Sequence, residues 1–183
     1  MDKQTRQLLD NLRSADGDTR YQAYTEVFRL TDQPVDWAYE VWDQLLADLR
    51  HKDGHQRAIA AQLLCSLAKS DPRQRILKDF DALLAVTRDE KFVTARHTLQ
   101  SLWKVGTEGK QHQQLVLQRL AGRFQDSAAE KNGRLIRYDI LVGLKQLYDA
   151  APDEQIKIWA LALIETETDP KYRKKYAAVW RRA

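Results

Sequence analysis

The chain has 183 residues, with 30 Lys and Arg against 26 Asp and Glu and a formal net charge of +4. That is enough length for a single domain, residues 1–183, with a sizeable core, and enough charge for long exposed helix faces. Seven Gly and four Pro are too few for the tight turns of a β-sandwich or barrel, and the one cysteine, Cys65, excludes an intramolecular disulfide and a zinc knuckle.

In chain order the apolar spacing predicts five helical pairs. The first pair runs from about Thr5 to Arg13, with Leu8, Leu9 and Leu12 on one face, and from about Asp18 to Thr31, with Ala23, Val27 and Leu30 inward. In pair two, Asp36 is the expected N-cap before Trp37, Val41, Leu45, Leu46 and Leu49. After the break at Gly54 come Ile59, Ala60, Leu63, Leu64 and Leu67. Pair three opens on Asp71-Pro72 and buries Ile76, Phe80, Leu83 and Leu84. Its second helix uses Phe92, Ala95, Leu99, Leu102 and Trp103 and stops at Gly106.

Pair four has Leu115, Leu117, Leu120 and Phe124, then a polar stretch from Asp126 to Gly133, then Leu135, Ile136, Ile140, Leu141, Leu144 and Leu147. Pair five is capped by Asp153 and carries Ile156, Trp159, Ala160, Leu163 and Ile164. Asp169-Pro170 then opens a last helix with the stripe Tyr172, Tyr176, Val179 and Trp180. No apolar run approaches the ~20 residues of a membrane span, and Met1–Arg6 lacks the apolar core of a signal peptide. The expectation is a protein of a reducing, cytoplasmic compartment with no membrane contact.

A phrase recurs through these pairs. Asp16-x3-Arg20-x2-Ala23 opens one second helix and Asp53-x3-Arg57-x2-Ala60 another, each with a Leu seven residues on (Leu30, Leu67). A weaker copy is Asp169-x3-Arg173, and a drifted one is Asp89-x3-Val93. The steps from Arg20 to Arg57 to Val93 are 37 and 36 residues. Self-similarity at this period marks a stack of helical hairpins, an all-α solenoid. The phrase has a physical meaning: the Asp caps a helix N-terminus, and the Arg can pair with the equivalent Asp of a stacked neighbour. A ladder is therefore expected among Asp16, Arg20, Asp53, Arg57, Asp89, Asp169 and Arg173. The surplus near Asp126–Gly133 reads as a surface insertion.

The Asp…Arg-x2-Ala…Leu phrase resembles the HEAT-repeat family. The resemblance implies a right-handed α-α superhelix of about five hairpins, with second helices lining its concave side, and a binding or scaffold role rather than a particular ligand. Cations gather in the second helices, including Lys171, Arg173, Lys174, Lys175, Arg181 and Arg182 near the C-terminus. Acids crowd the first helices of pairs two and five. A concave side of one sign attracts the opposite charge.

The expected function is non-catalytic protein–protein interaction, with an acidic partner segment held on a basic concave surface formed by Arg20, Tyr24, Arg57, Gln62, Arg96, Lys104, Arg137, Asp139, Arg173 and Lys174. No Gly-rich phosphate loop, Gly-x-Ser-x-Gly or His-Glu-x-x-His motif is present, so neither a cofactor nor a catalytic residue is assigned. His51 and His55, separated by Gly54, read as polar turn residues rather than metal ligands. The alternative is a nucleic-acid binder similar to the HEAT-like alkylpurine DNA glycosylases, with Asp139 near Arg137, Tyr138 and Trp103. The chain lacks those enzymes' Trp-Trp-Asp-like run. The five Trp read mainly as packing residues, with one of Trp37 and Trp42 expected at the rim.

Overall fold

The computed structural model describes residues 1–181; Arg182, counted above among the terminal cations, lies outside the described residues. Among those residues there are α-helices, short 3-10 segments and no strand. The chain divides into two compact units, one spanning Met1–Thr98 and the other starting at Leu99.

The first unit holds α1 (Lys3–Asn11), α2 (Gly17–Leu30), α3 (Ala38–Asp48), α4 (Gly54–Leu67), α5 (Arg75–Val86) and most of α6 (Phe92–Leu99). The helix starts follow from local acids: Asp2 accepts from Thr5 N, Asp16 from Thr19 N and Asp53 from His55 N. Each satisfies an N–H that the helix itself cannot. The α1–α2 and α3–α4 pairs pack together, as expected of hairpins, and α2 and α5 each pack against α4.

Helix α4 is the centre of this unit. Ala58 and every residue from Ala60 to Leu67 are buried, Cys65 among them at 1% exposure. Leu63, Leu64 and Leu67 are fully buried, each worth about 1.5–3 kcal/mol. Gly54 starts α4 because α6 comes close: a Cβ there would lie 2.9 Å from Thr94 Oγ1.

Three expectations change in this unit. The N-cap of α3 is Trp37, not Asp36, and it makes no side-chain cap bond. Neither Trp37 nor Trp42 lies at a rim; they are 5% and 0% exposed, and Trp42 Nε1 donates to Asp79 Oδ2 at 2.9 Å. Five residues apart, the two rings point differently, but each direction meets packed structure. Asp71-Pro72 precedes a turn rather than starting the helix. Asp71 Oδ1 accepts from the Tyr39 hydroxyl while Oδ2 accepts from Ile76 N at 2.8 Å, and Gln74 turns left-handed at φ 53°. The helix therefore begins at Arg75.

The second unit holds a 3-10 segment (Leu102–Glu108), α7 (Lys110–Asp126), a 3-10 turn (Ser127–Ala129), α8 (Gly133–Ala150), α9 (Glu154–Glu165) and α10 (Pro170–Trp180). Helix α8 packs on α7, α9 and α10, and α7 packs on α9. The second helix expected from Phe92 to Gly106 is broken after Leu99. Thr98 Oγ1 donates to Thr94 O at 3.0 Å in the last turn of α6. The chain resumes in 3-10 form and ends at Gly109, whose φ of 130° suits glycine.

The surplus residues near Asp126–Gly133 lie mostly at the surface, as a surface insertion would, and are pinned at Ser127 and Gly133, which are buried. Arg123 is buried and donates to Glu130 at 2.7 and 2.8 Å, while Ser127 Oγ donates to Phe124 O at 2.7 Å. A Cβ at Gly133 would fall 1.8 Å from Ser127 O.

Candidate functional site

The expected contact residues lie in both units. In the first, α2, α4 and α6 border a cleft of about 460 Å³ lined by Arg20, Tyr21, Tyr24, Gln62 and their neighbours. The Tyr24 hydroxyl donates to Gln62 Oε1 at 2.9 Å, and Gln62 Nε2 donates to Ala58 O at 3.1 Å, so the polar floor is fixed. Tyr24 also packs on Phe28 with ring centroids 4.3 Å apart, and burial pushes its phenol pKa up. Tyr21, one residue past Arg20, is 71% exposed at the edge. Ala58 and Ile59 supply the apolar wall, His55 and His97 the remaining sides.

Arg20 and Arg57 are the same device in two repeats. Arg20 Nη1 donates to Ser14 O at 2.7 Å and Ala15 O at 3.5 Å, six and five residues back. Arg57 Nη1 donates to His51 O and Lys52 O at 2.7 and 3.0 Å, again six and five back. They differ on the other edge of the guanidinium. Arg57 gives Nε and Nη2 to Asp89, the cap of the following turn. Arg20 makes no such rung with Asp53, which instead accepts from His55 N. The ladder thus closes at Arg57–Asp89 and stays open at Arg20. In the second unit Asp169 pairs with Arg134 at 3.0 Å, and Arg173 approaches Glu165 at 3.8 Å.

Of the other expected contact residues, Arg96, Lys104 and Arg137 are half-buried and Asp139 is buried. Arg137 donates to Phe124 O and to Glu167 at 2.9 Å and lies over the Phe124 ring. Asp139 is 2% exposed on the inward face of α8, 3.4 Å from Gln100 Nε2. Arg96 stacks over Phe92, and Lys104 is half-buried in the 3-10 segment. His51 Nδ1 accepts from Asp53 N, the turn role expected of it, and no metal-holding group occurs among the described residues.

Helix boundaries relocate the charge. Helix α2 balances its charges, α4 and α6 each carry one Arg and no acid, and α8 sets three cations against two acids. Helix α10 has four cations and no acid. Lys171, Arg173, Lys174 and Lys175 are all exposed there, and Lys175 Nζ lies 4.7 Å from the Tyr138 ring centroid. Beside them Arg134 stacks over Tyr172 at 4.5 Å. Below this face Tyr176 is buried, its hydroxyl donating to Arg134 O at 2.8 Å, and burial pushes its phenol pKa up.

Tyr21, His55 and His97 were missed as cleft residues. The available signal was register: Tyr21 and Ala58 both follow the repeated Arg, and a large residue beside a small one in adjacent repeats leaves a recess. No helix among the described residues is long and apolar enough to cross a membrane. No protein-family model matches the chain, and no curated protein is similar enough to establish kinship.

Proposed function

We propose that this protein is a non-catalytic interaction module, a HEAT-like helical solenoid that binds an acidic segment of another protein through the basic surface of its second helices. The observation that carries the reading is α10: four exposed cations and no acid along an eleven-residue helix. Lys171 and Lys174 have no carboxylate partner among the described residues. Side chains left in that state attract an anionic partner over a Debye length of about 10 Å at moderate salt. The repeated carbonyl bonds of Arg20 and Arg57 support the solenoid, and the single buried thiol suits a reducing cytoplasm. In this role Arg20, Tyr24 and Gln62 form one contact region, and Arg173 and Lys174 belong to another. Arg57, Arg96, Lys104, Arg137 and Asp139 hold the scaffold under them.

The test titrates the full chain with polyglutamate and, separately, with duplex DNA, at about 50 mM and about 200 mM salt. Polyglutamate should bind, weaken as salt rises, and lose at least about tenfold in affinity on the double reversal Lys171→Glu/Lys174→Glu. Duplex binding tighter than polyglutamate, with a steep salt slope, would replace this reading with a nucleic-acid one. No binding of either at low salt would overturn it.

A further inference from the structure

We infer that the cleft between α2, α4 and α6 takes an aromatic side chain from an acidic peptide segment, while the peptide's adjacent carboxylate pairs with the open edge of Arg20. The inference rests on the acidic-segment reading above and assigns it an anchor point in the first unit.

Three observations converge. The cleft, about 460 Å³, is walled by the rings of Tyr21 and Tyr24 and by Ala58 and Ile59, and no carboxylate lines it. That size and lining, apolar with a few placed polar groups, is what small side-chain-sized ligands occupy. The floor is already set, because Tyr24 and Gln62 are tied to each other and to Ala58. A guest ring therefore meets an ordered surface and little is lost in fixing it. Finally, the repeat supplies its own template for the polar contact. Arg57 shows what this arginine does when a carboxylate is in reach: two parallel bonds at 2.5 and 2.7 Å to Asp89. Arg20 is held by the same two carbonyl positions with that edge unpaired. A carboxylate from outside would complete the rung in the fork geometry arginine favours. Ring and acid must be neighbours in the peptide, since Arg20 and Tyr21 are neighbours in the cleft wall.

The experiment uses the full chain and a synthetic acidic peptide carrying one central Phe-Asp pair. Its Phe→Ala and Asp→Asn versions serve as ligand-side variants that leave the protein's folding untouched. Binding is read by calorimetry and by the methyl signal of Ile59 in NMR. The Phe-Asp peptide should shift the Ile59 methyl, and Phe→Ala should abolish the shift and weaken binding about tenfold or more. Asp→Asn should weaken binding about tenfold to wild type and have no effect on Arg20→Gln, which isolates the pair. An unmoved Ile59 signal, or an equal Asp→Asn loss in both proteins, overturns the assignment. The variant Lys171→Glu/Lys174→Glu separates the two readings. If it abolishes the salt-dependent binding while Ile59 never moves, the anchor fails and the basic surface stands. If Ile59 moves and the reversal changes nothing, the anchor stands without α10.

Discussion

Arg57 and Asp89 close a two-bond rung between α4 and the start of α6, with side chains only 12% and 6% exposed. Burial alone would push the Asp89 carboxyl up. The Arg57 hydrogen bonds, the Lys91 N–H and the charges of Arg57 and Lys91 outweigh it and hold the group below the usual carboxylate range. Asp89→Asn should cost about 3 kcal/mol in a denaturant melt, the range for breaking a withdrawn ion pair on one side.

The same pair sets a pH dependence. A carboxyl depressed on folding contributes its full stability above its unfolded value, about 3.9, and loses it as pH falls through the folded value. Wild type should therefore lose stability below about pH 4 more steeply than Asp89→Asn. Parallel acid profiles for the two proteins would show that the rung is not what titrates.

Gly133 is where a methyl group cannot be added. Its Cβ would stand 1.8 Å from the Ser127 carbonyl oxygen, a backbone atom with no room to yield. Gly133→Ala should destabilise by about 3 kcal/mol or more. Gly122, inside α7 with nothing within 4 Å of a built Cβ, is the control: Gly122→Ala should stabilise by about 0.5–1 kcal/mol. Thermal melts of the two variants should move in opposite directions.

Ala60 is 1% exposed on α4. Ala60→Leu should overpack the first unit and lower stability by about 1–3 kcal/mol. A melt unchanged by this substitution would mean that α4 is not confined as described.

Much of the helical order was legible because the apolar spacing and the capping acids act locally. Asp16, Asp53, Asp153 and Asp169 cap the helices they were expected to cap. Asp71 still accepts from Ile76 N in the first turn of α5, but Tyr39, distant in sequence, holds its other oxygen and the helix starts at Arg75 rather than at Pro72. The break after Leu99 was equally hidden, since no Pro or Gly marks it in the sequence. The cleft was half legible. Arg20, Tyr24 and Gln62 were named from the repeat, but Tyr21, His55 and His97 join them only through the lateral packing of second helices. Charge was legible in outline, since the cations of the last helix stand together in the sequence; what the sequence order hid is that α2 is balanced and that α10 presents its four cations exposed with no acid in that helix.

The single thiol has a practical consequence. Cys65 lies within the central helix of the first unit, sealed at 1% exposure, and the rest of the sequence has no other cysteine. A thiol reagent can reach it only when α4 comes away from its surroundings. The rate of labelling in rising denaturant would then time the opening of that unit alone, with no engineered probe and no signal from the rest of the chain.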